Sequence, residues 1–71
     1  MTKTLKEIRL SKNLLQKDIV EKCNISVAFC SLMESGKRNP SMKTAQRIAQ
    51  FLGITLDEFY QALQLSKGGD I

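Results

Sequence analysis

Two Thr-x-x-Glu quartets, Thr4-Leu5-Lys6-Glu7 and Thr55-Leu56-Asp57-Glu58, constrain this chain more than any other feature. At that spacing each side chain satisfies a free backbone N–H of the other residue, which marks a helix start. Helix stops fall between them, and the chain divides into five helices. The first covers about 5–12, with Leu5 and Ile8 on one face, Leu10 off it and Asn13 as its stop. Leu14 and Leu15 lead into a second, Gln16 to Cys23, where Ile19, Val20 and Cys23 form a buried stripe and Lys17, Asp18, Glu21 and Lys22 face water. Ser26 caps a third from Val27 to about Ser35, closed by Gly36. Ser41 caps a fourth, whose Ala45, Ile48, Ala49 and Leu52 recur at three and four residues until Gly53. The fifth carries Leu56, Phe59, Tyr60 and Leu63 on one stripe and gives way to a frayed Lys67-Gly68-Gly69-Asp70 tail. No β period, internal repeat or low-complexity tract interrupts the series, so the expected fold class is all-α.

Seventy-one residues supply one core and no second. With no His in the chain, a Ser-His-Asp triad, a Cys-His pair and a His-containing zinc site are all excluded. Two cysteines are too few for a four-thiolate site, so neither a metal nor a cofactor is expected, and the chain does not read as an enzyme. Cys23 and Cys30 could pair, but in a basic chain without a leader they read as reduced core residues. The longest apolar run, Val27-Ala28-Phe29-Cys30, is far short of the roughly 20 residues that span a bilayer, and the expected location is the cytoplasm. Asp57 and Glu58 point about 100° apart on a helix, so they form no catalytic pair and read as charges favouring a helix N-terminus.

Net charge is +4 and unevenly placed. Residues 1–47 hold ten Lys/Arg against four Asp/Glu, while 48–71 hold one against three. A basic front suits a polyanion, either nucleic acid or an anionic membrane surface. The second and third helices, joined by Asn24-Ile25-Ser26, have the lengths of a helix-turn-helix unit, whose second member can lie in a major groove.

Gln16-Lys17-Asp18-Ile19-Val20-Glu21-Lys22-Cys23-Asn24-Ile25-Ser26, then Glu34-Ser35-Gly36-Lys37-Arg38-Asn39-Pro40-Ser41, then Ile48 through Phe59 resemble the phage-repressor family, the Cro and lambda-repressor-like (Xre-type) regulators. The match runs without a gap from about Leu5 to Tyr60. It implies a five-helix domain over residues 1–65 with a flexible tail at 66–71. It also implies a transcriptional regulator acting as a homodimer on a palindromic operator in double-stranded DNA, most simply as a repressor. By that resemblance Gln16 reaches the DNA backbone, with Lys17 beside it. Ser26, Val27, Ala28, Ser31 and Leu32 sit on the reading helix, and Lys37, Arg38, Asn39 and Lys43 grip phosphates. Arg9 and Glu34 form a structural ion pair.

The chain departs from the family in two places. Leu15 stands where Ser or Thr commonly caps the second helix, removing about 1 kcal/mol of capping. Val27, Ala28, Phe29 and Leu32 offer no side-chain donor or acceptor, which points to thymine methyl contacts and DNA shape rather than hydrogen-bond readout.

Blander readings stand beside these. Lys37 and Arg38 also suit a solvated turn, and Gln16 an ordinary exposed helix start. The Val27, Phe29 and Leu32 patch equally suits a protein-binding adaptor or antitoxin-like module, and a regulatory protein remains open as a further partner. A membrane-surface helix is the weakest alternative, since no one helix is both strongly basic and strongly apolar. The acidic C-terminal part is expected to stay off DNA, with Tyr60, Leu63 and Leu65 forming the dimer contact.

Overall fold

A computed structural model describes residues 3–68. Its five helices are α1 (Leu5–Ser11), α2 (Gln16–Cys23), α3 (Val27–Glu34), α4 (Met42–Leu52) and α5 (Leu56–Gly68). No strand occurs among the described residues, and the architecture is the all-α, five-helix lambda-repressor-like fold. No described helix is long and apolar enough to cross a membrane.

Local chemistry sets the boundaries. Both Thr-x-x-Glu quartets close as capping boxes: Thr4 N–H donates to Glu7 at 2.9 Å and Glu7 N–H to Thr4 Oγ1 at 3.2 Å, while the corresponding Thr55–Glu58 bonds measure 2.8 and 3.1 Å. Ser26 and Ser41 accept from Phe29 and Thr44 N–H and so start α3 and α4. Asn13 and Asn24 take left-handed φ of 58° and 56°, closing the first two helices. Gly36 closes α3 with φ 80°, and Lys37 N–H reaches back to the Leu32 carbonyl at 2.9 Å.

Three boundaries differ from expectation, that of α3 by its closing at Glu34 with Ser35 as the cap. Helix α1 ends at Ser11, because Lys12 already leaves helical geometry so that Leu14 N–H can bond the Arg9 carbonyl. Helix α5 continues through Gly68, so residues 66–68 belong to it rather than to a tail. Residues 69–71 lie outside the described residues.

The core joins all five helices: Leu5, Ile19, Cys23, Cys30, Met33, Ile48, Leu52 and Phe59 are essentially sealed from solvent, with Ala45, Ala49, Ala62 and Leu63 filling between them. Cys23 and Cys30 are free buried thiols. Burial raises the pKa of Cys23 and, with the Glu34 carboxylate adding to it, pushes Cys30 up to about 11, which keeps both protonated and poorly nucleophilic.

Candidate nucleic-acid interface

The exposed side of α3 follows helical spacing. Val27, Ala28, Ser31, Leu32 and Ser35 face solvent, whereas Cys30 and Met33 turn inward. Val27 is 62% exposed, and the first turn of α3 therefore presents an uncovered apolar surface. Phe29 is different. It is half-buried against the core, so the apolar face is Val27, Ala28 and Leu32 without it. The spacing explains this, since Phe29 precedes the buried Cys30 and Met33 by one and four residues.

A charge network fixes how α3 is presented. Arg9 of α1, 6% exposed, donates from Nε to Glu34 Oε2 at 2.8 Å and from a terminal nitrogen to Oε1 at 3.3 Å. Its other terminal nitrogen donates to the Leu14 carbonyl at 2.9 Å. Gln16 Nε2 completes the group by donating to Glu34 Oε1 at 3.1 Å. One carboxylate at the end of α3 thereby holds α1 and the first residue of α2, Arg9 ties the α1–α2 turn to the same group, and no buried side-chain polar atom among the described residues is left unpartnered. Arg9–Glu34 is the one ion pair among them.

The start of α2 is capped unconventionally. Leu15 offers no oxygen, so no side-chain cap forms there, but its N–H donates to Asp18 at 2.8 Å and half of a capping box remains. Lys17 of α2 and Ser26, the cap of α3, are exposed. Lys37, Arg38 and Asn39 are exposed in the α3–α4 loop, Pro40 after them is buried, and Lys43 is exposed in the first turn of α4. A side chain on Gly36 would meet the Ser66 carbonyl at 2.8 Å and the Lys67 backbone at 2.9 Å, so this loop lies directly against the end of α5.

The three residues expected at a dimer contact separate. Leu63 is 4% exposed and packed in the core, because α5 uses it with Phe59 and Ala62 to cover the other helices, and it cannot present a surface to a partner. Tyr60 is half-buried, its hydroxyl donating to Met42 Sδ at 3.7 Å and its ring meeting Phe59 edge-on at 5.6 Å. Leu65 is 44% exposed and lies about 140° around α5 from Tyr60. Met42, 56% exposed at the start of α4, joins Tyr60 in one apolar patch that the hydropathy pattern did not mark.

Two residues near α3 were also not singled out from the sequence. Ser35 continues its 27/28/31 stripe, and Lys6 lies across a cleft from it. The signal for Lys6 was available, since it stands three residues before Arg9 on one helical face.

A family profile described as Helix-turn-helix matches residues 5–59, and the chain belongs to that family, in accord with its Xre-type resemblance. It is 37% identical over 60 residues to the HTH-type transcriptional regulator DdrOP3 of Deinococcus deserti, covering 84% of this chain and 46% of that protein. To the HTH-type transcriptional activator BcrR of Enterococcus faecalis it is 34% identical, over 86% of this chain and 30% of the relative. To the control protein C.MunI of Mycoplasma sp. it is 33% identical, covering 84% and 82%. The chain thus spans less than half the length of the first two. No solved structure matches it significantly.

Proposed function

We infer that the protein is a transcription regulator that binds double-stranded DNA through α3, as a homodimer on a palindromic operator, and represses by occupying it. One observation carries this reading: Val27, Ala28, Ser31 and Leu32 form an exposed stripe on α3, Gln16 bonds Glu34 at the end of that helix, Lys37, Arg38 and Asn39 are exposed in the loop that follows it, and Lys17 and Lys43 are exposed on α2 and α4. That is a surface for bases together with donors for phosphates. Relatives named as transcriptional regulators support it. The role is binding rather than catalysis, with no cofactor, in the cytoplasm and on the nucleoid when bound.

The reading face lacks bidentate donors. Specificity then comes from thymine methyl groups against Val27, Ala28 and Leu32, from Ser26 and Ser31 hydroxyls, and from A·T-rich groove shape. A face this apolar gives limited affinity for one half-site, so two copies act together, with reading helices roughly 34 Å apart. The Met42–Tyr60 patch supplies the contact surface between them. Met42→Asp should weaken the dimer by sedimentation and shrink the operator footprint, and an unchanged dimer would move the interface elsewhere, Leu65→Asp being the next variant to test.

Selection from a random duplex pool tests the whole reading. Six to ten phosphate contacts imply a loss of about 10³- to 10⁵-fold in affinity between 50 and 200 mM salt. Arg38→Ala should weaken all duplexes about equally, since phosphate contacts position without specifying. Tight binding with a flat salt response would reject these residues as the phosphate grip. The sign of regulation is read from a reporter placed behind the selected site, and BcrR, named an activator, makes that measurement necessary.

A second reading, a protein-docking module, draws on the exposure of Val27 and Leu32. If no duplex were enriched, that reading would replace the first.

A further inference from the structure

Lys6 lies outside the helix-turn-helix unit, yet the fold brings it to the edge of that unit. An open cleft of about 290 Å³ is lined by Lys6 of α1, Gln16 at the start of α2, and Ser31, Glu34 and Ser35 at the end of α3. Each polar group there has a defined state. Both Glu34 oxygens accept from Arg9, one of them also from Gln16, so the carboxylate is neutralised within the protein. The Gln16 amide spends one N–H on Glu34 and keeps its second. Ser35 donates to the Leu32 carbonyl at 3.0 Å, whereas among the described residues no hydrogen bond engages the Ser31 hydroxyl. Lys6 is exposed and takes no part in the one ion pair among the described residues.

The cleft therefore offers an ammonium, an amide N–H and a hydroxyl, with its one acidic group already balanced. Those donors suit an anion that carries several acceptor oxygens. We propose that the cleft between α1, α2 and the end of α3 seats one phosphodiester of the bound duplex, with Lys6 as its cationic ligand and Gln16 as its neutral donor. The proposal rests on α3 being the DNA-binding helix, and it extends the phosphate grip from the α3–α4 loop to α1. The backbone would then be held at a second point besides that loop, which fixes the tilt of α3 in the groove as well as its position.

The Arg9–Glu34 pair acquires a second use in this arrangement. An unpaired carboxylate at the floor of the cleft would repel a phosphate, and Arg9 removes that repulsion while Gln16 is held in place from below.

The test uses the duplex enriched from a random pool by the wild-type protein, with salt titration and phosphate-ethylation interference on wild type, Lys6→Gln, Lys6→Arg and Arg38→Ala. Lys6→Gln should lower affinity alike for all sequences, flatten the log–log salt slope by about one per bound subunit, and remove one interfering phosphate per half-site. Lys6→Arg should retain that phosphate, and Arg38→Ala should remove a different one. Melting of Lys6→Gln should match wild type, since the side chain is exposed and unpaired. If Arg38→Ala weakens binding while Lys6→Gln leaves slope and interference unchanged, the cleft is no phosphate seat and the DNA-binding reading stands. If the slope falls but every interfering phosphate persists, Lys6 acts only through net charge and the proposal also fails. If wild type enriches no duplex, the function itself is overturned and the phosphate seat with it.

Discussion

Helices α1, α2 and α3 converge on a charged group, whereas α4 and α5 meet through carbon. In the first region Arg9 and Gln16 both donate to Glu34, so three elements share one carboxylate. In the second Ile48, Leu52, Phe59 and Leu63 are buried together, and Tyr60–Met42 is the one side-chain hydrogen bond between α4 and α5 among the described residues. Apolar packing tolerates small slides, while bonds of fixed direction do not. On the DNA-binding reading proposed above, directional bonds therefore occur where a helix must be presented at a set angle. Gly36 connects the regions, since the loop beyond α3 presses on the end of α5.

The comparison breaks most readily at Glu34. Its side chain is 5% exposed, so Glu34→Ala strands a buried guanidinium and should cost about 3–5 kcal/mol in denaturant unfolding. Replacing Arg9 and Glu34 together by Met and Leu should recover most of that loss, because such pairs contribute little net stability. If the double variant were as unstable as the single one, the network would be a main source of stability. If it were stable but bound DNA weakly, the network would serve presentation.

The two closing glycines sharpen the contrast at smaller magnitude. Both have positive φ, but a Cβ on Gly53 would meet nothing within 4 Å, while one on Gly36 would collide with α5 backbone. Gly53→Ala should cost about 1–2 kcal/mol from backbone strain alone. Gly36→Ala adds a steric overlap and should cost about 2–4 kcal/mol. Equal melting shifts would mean that the loop and α5 separate easily.

How far the sequence could be read follows the same division. Helix starts and stops are local, so Thr4, Ser26, Ser41, Thr55, Gly36 and Gly53 announced them without knowledge of the fold. The Arg9–Glu34 pair, separated by 25 residues, came from family resemblance rather than from spacing. What stayed hidden depends on packing between elements. Leu63 and Leu65 are both leucines on one helix, and only the positions of the other helices decide that the first is covered and the second exposed. Phe29, Met42 and Lys6 follow the same rule: periodicity places each on a face of its own helix, and the facing element decides what that face does.

At the start of α2 a smaller effect is expected. Asp18 accepts from Leu15 N–H and its own N–H donates to the Leu15 carbonyl at 3.0 Å, so Leu15→Ser would offer Asp18 N–H a side-chain oxygen as well and complete the box. A gain of about 1 kcal/mol is expected, and Leu15 at 63% exposure gives up little burial in exchange. If thermal melting does not rise, the half-box already satisfies this terminus.

The smallest effect lies at the opposite box. Hydrogen bonds from Thr55, its backbone N–H foremost, hold the Glu58 carboxyl below the ordinary range, and Lys12 lowers it further. A carboxyl whose folded pKa is depressed stabilises the fold above its unfolded pKa, and that contribution is lost as pH falls through the folded value. Wild type should therefore melt slightly above Glu58→Gln near neutral pH, with the gap closing as pH falls below the ordinary carboxylate range and through the lowered folded value. Added salt should narrow the gap only in part, because hydrogen bonds to Thr55 are short-ranged while the Lys12 attraction is screened. A gap that widened on acidification would show that the carboxylate is repelled in the fold, and one that vanished in salt at neutral pH would assign its whole effect to Lys12 rather than to the box.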